Sequence, residues 1–216
     1  MRLLIFGATG ETGQHLVRLS LSQGHRVTAF VRDPTRIAPA GQQLEIAVGD
    51  VMQPTSVEAA LSVHDAVLCA LGTMPAGKAD RLRRQPNVPV CSVGTKNILQ
   101  AMSSHGCSRI VVESSTSVGD SRLTGGLGAA AVVRSLLKAV MEDKELQEAE
   151  IRASATDWTI IRPVRLTNKP ASGNVQSGER LSWGLLSSIS RADTAAFMLS
   201  SVNDPDTFRK SLTIKS

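Results

Sequence analysis

Short apolar runs alternate with longer amphipathic stretches along most of this chain of 216 residues. Such alternation is typical of a parallel β-sheet that is covered by helices on both faces. The pattern predicts strands over residues 3–6, 26–31, 44–48, 66–70, 109–113 and 159–161. It predicts helices over residues 11–23, 56–61, 92–105, 129–154 (one or two) and 191–202.

The regular pattern weakens after Pro163. Residues 167–184 are rich in Ser, Gly, Asn and Lys and show no clear period, so they predict a loop or short β-structure. No linker or internal repeat divides the chain, and we expect one α/β domain over residues 1–216 with a doubly wound parallel sheet. Because ligands of such sheets bind at the carboxyl ends of the strands, residues 165–190 are expected to cover a substrate.

The aromatic content is low: the chain has two Trp, four Phe and no Tyr. Modules that bind nucleic acid by stacking bases need aromatic side chains, so we expect no nucleic-acid partner. The missing Tyr also excludes any mechanism in which a phenol donates a proton.

The charge balance is basic, with 24 Lys and Arg against 19 Asp and Glu, a formal net charge of +5. A basic balance suits ligands that carry phosphate, but most of the charges are spread along the chain. One tight cluster contains Lys78, Arg81, Arg83 and Arg84. We expect this cluster to be a solvated loop or helix face.

Cysteine and histidine give no sign of a disulfide framework or a metal site. Cys69, Cys91 and Cys107 are odd in number and lack metal-ligand spacing, and the four His are scattered. No apolar run approaches the roughly 18 residues of a membrane span, and because Met1 leads directly into a predicted strand we expect no signal peptide. We therefore expect a cytoplasmic protein with no metal and no membrane partner.

A glycine-rich turn, Gly7-Ala-Thr-Gly-Glu-Thr-Gly13, joins the first strand to the first helix. In this context Gly7 permits the tight turn, Gly10 lets the backbone approach a diphosphate, and Gly13 lets the helix pack close to the strand. The helix N-terminus then offers free N–H groups to the phosphates. The alternative is a turn that only connects strand to helix.

Three polar residues of the same turn join the predicted cofactor contacts. Thr9 and Thr12 could add hydroxyl donors to the phosphates. Glu11 is part of the turn, but its carboxylate would be repelled by a phosphate and should point away to solvent.

The end of the second strand indicates which dinucleotide is bound. An acidic residue there would bind the ribose 2′-hydroxyl, whereas an Arg accommodates a 2′-phosphate. Arg32 comes first after the strand, and Asp33 is expected to cap the turn that Pro34 begins. We therefore expect NADP(H) in preference to NAD(H), the alternative being that Arg32 is solvated or paired with Asp33.

Together with this turn and Arg32, three further motifs carry a family resemblance: Gly49-Asp-Val51, Ala70-Leu-Gly72 and Asp157-Trp-Thr-Ile-Ile-Arg-Pro163. The chain resembles the atypical short-chain dehydrogenase/reductases, which have a Rossmann-type fold. Within them it is most similar to the NAD(P)H-binding proteins related to NmrA and to biliverdin reductase B, a flavin reductase. The resemblance covers nearly the whole chain.

The resemblance implies further cofactor contacts. Asp50 would bind the adenine with Val51 packed nearby, and Asn97 matches an Asn of the family's fourth helix. Residues implied to line the cofactor or the nicotinamide are Ala70, Leu71, Gly72, Ser114, Pro163 and Val164. Ser115 and Thr116 are the implied catalytic hydroxyls, with Thr116 in the place of the family's active-site Ser.

The chain departs from the wider superfamily at the catalytic Tyr. Reductases of that superfamily have a Tyr four residues before a Lys, and here Val140 stands four residues before Lys144. Lys144 would be a ribose, substrate or catalytic contact, or else an exposed Lys paired with Glu148. Trp183, in the irregular segment, would either line a substrate pocket or belong to the core.

Two functions are compatible with these residues. The first is an NADPH-dependent reductase of a small planar acceptor, such as a flavin or quinone, which can take its proton from water. The second is a non-catalytic regulator or scaffold that senses NADP(H), similar to the NmrA-like proteins. The sequence predicts no oligomeric state.

Overall fold

A computed structural model describes residues 1–38, 41–72 and 89–216. Their strands are β1 Arg2–Phe6, β2 Arg26–Val31, β3 Leu44–Val48, β4 Ala66–Cys69, β5 Arg109–Glu113, β6 Asp157–Pro163, β7 Arg165–Thr167, β8 Gln176–Gly178, β9 Ser188–Ser190 and β10 Lys210–Lys215. Their α-helices are α1 Glu11–Ser22, α2 Pro54–Ala60, α3 Val90–His105, α4 Ala129–Leu136, α5 Lys138–Ala153 and α6 Arg191–Ser200. The basic cluster Lys78, Arg81, Arg83 and Arg84 lies outside the described residues.

Eight of these strands form one sheet in the order β3-β2-β1-β4-β5-β6-β10-β8. All neighbouring pairs are parallel except β10 and β8, which are antiparallel. Strands β7 and β9 form a separate parallel pair. The strand order reverses between β1 and β4, and ligands of such sheets bind beside that point, at the carboxyl ends of the strands. The predicted Rossmann-type, doubly wound α/β fold is confirmed.

Strand β1 is apolar on both faces because helices cover both sides of the sheet. Leu3 and Ile5 belong to a core shared with α1 and α6, whereas Leu4 and Phe6 belong to a core shared with α2, α3 and α5. All four side chains are fully buried, which contributes about 1.5–3 kcal/mol each. None of the helices in the described ranges is long and apolar enough to cross a membrane.

The predicted strands of the main sheet are confirmed, and the main differences between prediction and structure lie after β5 in the chain. Strands β2, β3 and β5 have their predicted bounds. The helix predicted over residues 129–154 is divided at Leu137, which has a non-helical backbone. Short β-structure occurs after Pro163 as predicted, but β9 and β10 were not predicted, and β10 extends the sheet beyond β6.

Candidate cofactor site

The glycine turn brings β1 and α1 closer together than any other residue would allow. Gly7 has a left-handed backbone (φ 76°), and a Cβ atom there would collide with the carbonyl oxygen of Ala70. A Cβ atom at Gly13 would collide with the carbonyl oxygen of Gly7. Both glycines are therefore required by close backbone approach at the point where the strand order reverses.

Helix α1 begins without a side-chain cap. Its N-cap is Gly10, which is exposed and extended, and no described side chain bonds to the N–H groups of the first turn. Uncapped N–H groups and the helix dipole attract an anion. The turn thus fits the diphosphate of a dinucleotide, because it has free backbone donors and its N-cap residue, Gly10, has no side chain to keep the phosphates away.

Two of the three polar side chains of the turn, those of Glu11 and Thr12, have partners within the protein, whereas the Thr9 hydroxyl has none among the described residues. The Thr12 hydroxyl donates to Oε1 of Glu113 at 3.2 Å, which leaves the backbone N–H of Thr12 for a phosphate. The Glu11 carboxylate accepts from Asn168 at 3.0 Å and pairs with Arg191 at 3.0 Å. Glu11 therefore joins the turn to the segment after β7 and to α6, with its side chain still largely exposed.

Arg32 is exposed directly after β2. Asp33 accepts hydrogen bonds from the backbone N–H and the hydroxyl of Thr35, at 3.0 and 2.6 Å, and so caps the short turn Pro34–Arg36 as expected. These hydrogen bonds hold the pKa of Asp33 below its usual range. Within the described residues Arg32 has no ion pair, so the alternative in which it pairs with Asp33 does not form.

The turn after β3 is held in place by α3. Asn97 donates from Nδ2 to the carbonyl oxygen of Val51 at 2.9 Å, and Gly94 lets α3 approach the Val51 side chain. Asp50 accepts from the backbone N–H of Met52 at 3.0 Å. Asn97 is therefore a positioning residue for the segment that the resemblance places beside the adenine.

Lys144 lies at the carboxyl ends of β4 and β5. Its Nζ donates to the carbonyl oxygens of Glu113 at 2.9 Å and of Leu71 at 3.3 Å, and its side chain is 6% exposed. The alternative of an exposed Lys paired with Glu148 is wrong, because Glu148 is buried against Arg162. Lys144 thus crosslinks the two strand ends that flank the proposed cofactor position.

A buried ion-pair network beside β5 was missed by the sequence interpretation. Arg162, fully buried in β6, donates to both carboxylate oxygens of Glu148 at 2.9 and 2.7 Å and to Asp120 at 2.6 Å. Burial alone would lower the pKa of Arg162, but Glu148 and Asp120 outweigh it and raise the pKa. The signal was available: an Arg inside an apolar strand needs a buried carboxylate partner.

The three hydroxyl groups that follow β5 differ in whether they form hydrogen bonds within the protein. Ser114 donates to Glu148 at 2.7 Å, so its hydroxyl belongs to the buried network. The hydroxyls of Ser115 and Thr116 have no hydrogen-bond partner among the described residues, while the backbone of Thr116 donates to the carbonyl oxygen of Pro163 at 3.2 Å. Ser115 and Thr116 therefore keep their hydroxyls available next to Pro163 and Val164.

Besides the pairing of β8 with β10 and the contact of Asn168 with Glu11, two further contacts attach the irregular segment to the domain. Trp183 is 5% exposed and donates from Nε1 to the carbonyl oxygen of Ser121 at 3.0 Å, and Gly125 lies against its ring. Asp193 of α6 accepts backbone hydrogen bonds from Ser172 and Gly173 at 2.9–3.0 Å. The indole therefore fixes this segment beside the chain that follows β5.

A doubly wound sheet with an uncapped helix after a close-packed glycine turn defines a Rossmann-type dinucleotide-binding protein. The sequence profile of the NAD(P)H-binding family matches residues 7–205. The chain belongs to this NAD(P)H-binding family, which agrees with the relationship to the atypical short-chain dehydrogenase/reductases that the sequence motifs led us to expect.

Known proteins similar to the chain agree with this assignment. An uncharacterized chloroplastic protein of Arabidopsis thaliana is 30% identical over 179 residues, which cover 81% of this chain; the chain spans only 62% of that relative's length. The anaerobillin reductase ChuY of Escherichia coli O157:H7 has a TM-score of 0.81 at 21% identity, covering 99% of this chain and 96% of ChuY. A short-chain dehydrogenase/reductase of Veillonella parvula in complex with NADP has a TM-score of 0.80 at 16% identity, covering 100% and 94%.

Proposed function

We propose that the protein is an NADPH-dependent reductase of a small, planar, electron-poor acceptor such as a flavin or a quinone. The observation that carries the proposal is the carboxyl edge of the sheet. There the uncapped turn at Gly10, the buried Lys144 and the free hydroxyls of Ser115 and Thr116 occur on neighbouring strand ends. Family membership supports dinucleotide binding at this edge.

The residues that would hold the cofactor follow the edge from β2 to β6. The first turn of α1 would bind the diphosphate, and Arg32 would bind the 2′-phosphate, which favours NADP(H) over NAD(H). Asp50 and Val51 would bind the adenine. Ala70, Leu71 and Gly72 would line the middle of the cofactor, and Pro163 and Val164 would meet the carboxamide. The NADP complex of the Veillonella protein supports the choice of cofactor.

When bound, the dinucleotide would supply a hydride, and the chain's own residues would orient the acceptor. Ser115 and Thr116 would hold the reacting rings through their hydroxyls, and Lys144 would keep the ends of β4 and β5 at a fixed separation. A reduced flavin or quinone takes its proton from water, so the absence of Tyr is compatible with turnover. Residues 165–190, attached through Trp183 and Asp193, would cover the acceptor.

The proposal is tested by following NADPH oxidation with FMN, FAD and a series of quinones. We expect turnover with at least one of these acceptors. In Thr116→Val the rate should fall while the affinity for NADPH is retained, and the exposed control Glu142→Gln should behave as wild type. Tight NADPH binding with background oxidation for every acceptor would overturn the proposal.

That last outcome would favour a second candidate function, a non-catalytic protein that senses NADP(H). One observation supports it: several large apolar side chains near Trp183 and on α4 are exposed, including Leu123 at 89%, Leu136 at 77% and Leu186 at 92%. Where such residues form one contiguous patch, the patch is typical of a surface that binds another protein.

The cytoplasmic localisation that we expect from the sequence stays a prediction.

A further inference from the structure

Glu113 is a buried carboxyl group that the proposed reduction does not use. It is the last residue of β5, is 8% exposed, and lies beneath the first turn of α1, where Thr12 donates to its Oε1 at 3.2 Å. Its second oxygen, Oε2, has no hydrogen-bond partner among the described residues. A buried carboxylate with a single hydroxyl donor is poorly compensated for its loss of hydration.

Each charged group near Glu113 is directed elsewhere. Lys144 of α5 donates to the backbone carbonyl of Glu113 and not to its carboxylate, and Arg191 of α6 pairs with Glu11 of α1. Cys91 of α3 is a further titratable neighbour of Glu113. In the part of the chain that the structure describes, no cation pairs with the Glu113 carboxylate.

We propose that Glu113 controls dinucleotide affinity through its charge: its carboxyl group must carry a proton when a diphosphate occupies the N-terminus of α1. The inference rests on the proposed cofactor site. Thr12 connects the two groups, because its hydroxyl contacts Glu113 while its backbone N–H belongs to the turn that would bind the phosphate. Two anions on either side of one helical turn repel strongly when protein, rather than water, lies between them.

The direction of the pH dependence follows from the surroundings. Burial raises the pKa of Glu113, against the opposing effects of the Lys144 charge, the Thr12 hydrogen bond and Arg191. A bound diphosphate adds a negative charge and raises the pKa further. Between the pKa values of the free and the bound protein, binding takes up a proton, and the Kd rises by up to about tenfold per pH unit.

The test is isothermal titration calorimetry of the whole chain with NADPH and NADH across about pH 5 to 9, in buffers of different ionisation enthalpy. NADH lacks the 2′-phosphate, whose own ionisation near about pH 6 would also exchange protons. Proton uptake that occurs with NADH therefore cannot come from a 2′-phosphate and is assigned to a group of the protein. We expect wild type and Glu142→Gln to take up a proton with both dinucleotides.

Glu113→Gln keeps an acceptor for Thr12 but cannot ionise, so it should bind without proton uptake and with a Kd that no longer rises with pH. Thr12→Val removes the hydrogen bond that stabilises the charged carboxylate, so it should move the midpoint of uptake to higher pH. If Glu113→Gln does not fold, the shift of the uptake midpoint in Thr12→Val tests the proposal by itself.

Three results overturn the inference: no proton uptake in wild type, the same uptake in Glu113→Gln, or an unchanged midpoint in Thr12→Val. Failure of both dinucleotides to bind in every buffer would instead overturn the proposed cofactor site, and this inference with it.

Discussion

At the scale of single residues, two arginines have opposite surroundings and opposite expected roles. Arg162 is fully buried and has carboxylate partners in Glu148 and Asp120, so it stabilises the fold. Arg32 is exposed at the carboxyl end of β2 and is available to a ligand. The sequence alone does not distinguish the two roles, because Arg32 directly follows an apolar strand and Arg162 lies within one. The difference in side-chain burial does distinguish them.

Glu148→Gln should strongly destabilise the protein, because it removes the buried negative charge beside Arg162 and leaves the largely exposed Asp120 as the paired carboxylate. Breaking one partner of a buried pair costs about 3–5 kcal/mol. Denaturant unfolding gives the free energy of unfolding directly. The matched control is Glu142→Gln on the same helix, whose exposed pair with Lys138 contributes less than about 1 kcal/mol. Equal losses in the two variants would contradict the assigned role of the network.

Arg32→Ala should weaken NADPH binding by roughly 10- to 150-fold, the equivalent of about 1.5–3 kcal/mol for a charge-assisted hydrogen bond. NADH, without a 2′-phosphate, should bind nearly unchanged. Fluorescence titration with both dinucleotides measures the difference. Arg26→Ala, at the amino end of the same strand, is the control and should affect neither. A loss of the same size for NADPH and NADH would rule out the 2′-phosphate assignment.

At the scale of elements, the irregular segment depends on a carboxylate of α6. Burial raises the pKa of Asp193, but the hydrogen bonds from Ser172, Gly173 and Ser190 outweigh it and hold the pKa below its usual range. A depressed pKa stabilises the folded state above the pKa of the unfolded chain, and this stabilisation is lost as the pH falls through the folded value. The attachment of residues 172–173 to α6 is therefore sensitive to acid.

Acidification below about pH 3.9 should release residues 172–173 before the sheet unfolds. The measurement is amide hydrogen exchange of this segment as a function of pH, corrected for the intrinsic rate. Asp193→Asn should release the same amides already at neutral pH and should remove the pH dependence. Unchanged protection in the variant would show that the segment is held by other contacts.

The elements that the sequence predicts well are those whose pattern is decided locally. Strands β2 and β5 are apolar runs between turn residues, so their bounds follow from the residues themselves. Strand β10, Lys210–Lys215, has only two large apolar residues, Leu212 and Ile214, between polar ones, and β6 and β8 pair with it on either side. The local apolar signal of β10 is therefore weaker than that of β2 or β5, and the pairing with β6 and β8 is what defines the strand.

The same limit applies to the candidate site. Gly7, Gly10 and Gly13 were predictable because their spacing and their strand-helix context encode the turn. The surroundings of Lys144 were not, because the carbonyl groups that it binds lie 31 and 73 residues earlier in the chain. Glu113 was likewise treated only as the end of a strand, since its contact with Thr12 depends on the packing of α1 against the sheet.

At the scale of the whole molecule, the parallel sheet places the candidate functional residues together at the carboxyl ends of its strands. Strands β1, β2, β4, β5 and β6 all run in the same direction, so the segments that follow them meet at their carboxyl ends. The glycine turn, Arg32, Lys144 and the hydroxyls after β5 all lie at this edge. The proposed site therefore depends on the topology as a whole and not on any one motif.

The most direct test of the account is amide hydrogen exchange of the whole chain with and without NADPH. We predict protection at residues 7–13, 70–72 and 114–116, at the carboxyl edge, and no change at residues 24–26 and 106–108, at the opposite edge. NADPH binding that protects none of the carboxyl-edge segments, or that protects only the opposite edge, would contradict the account.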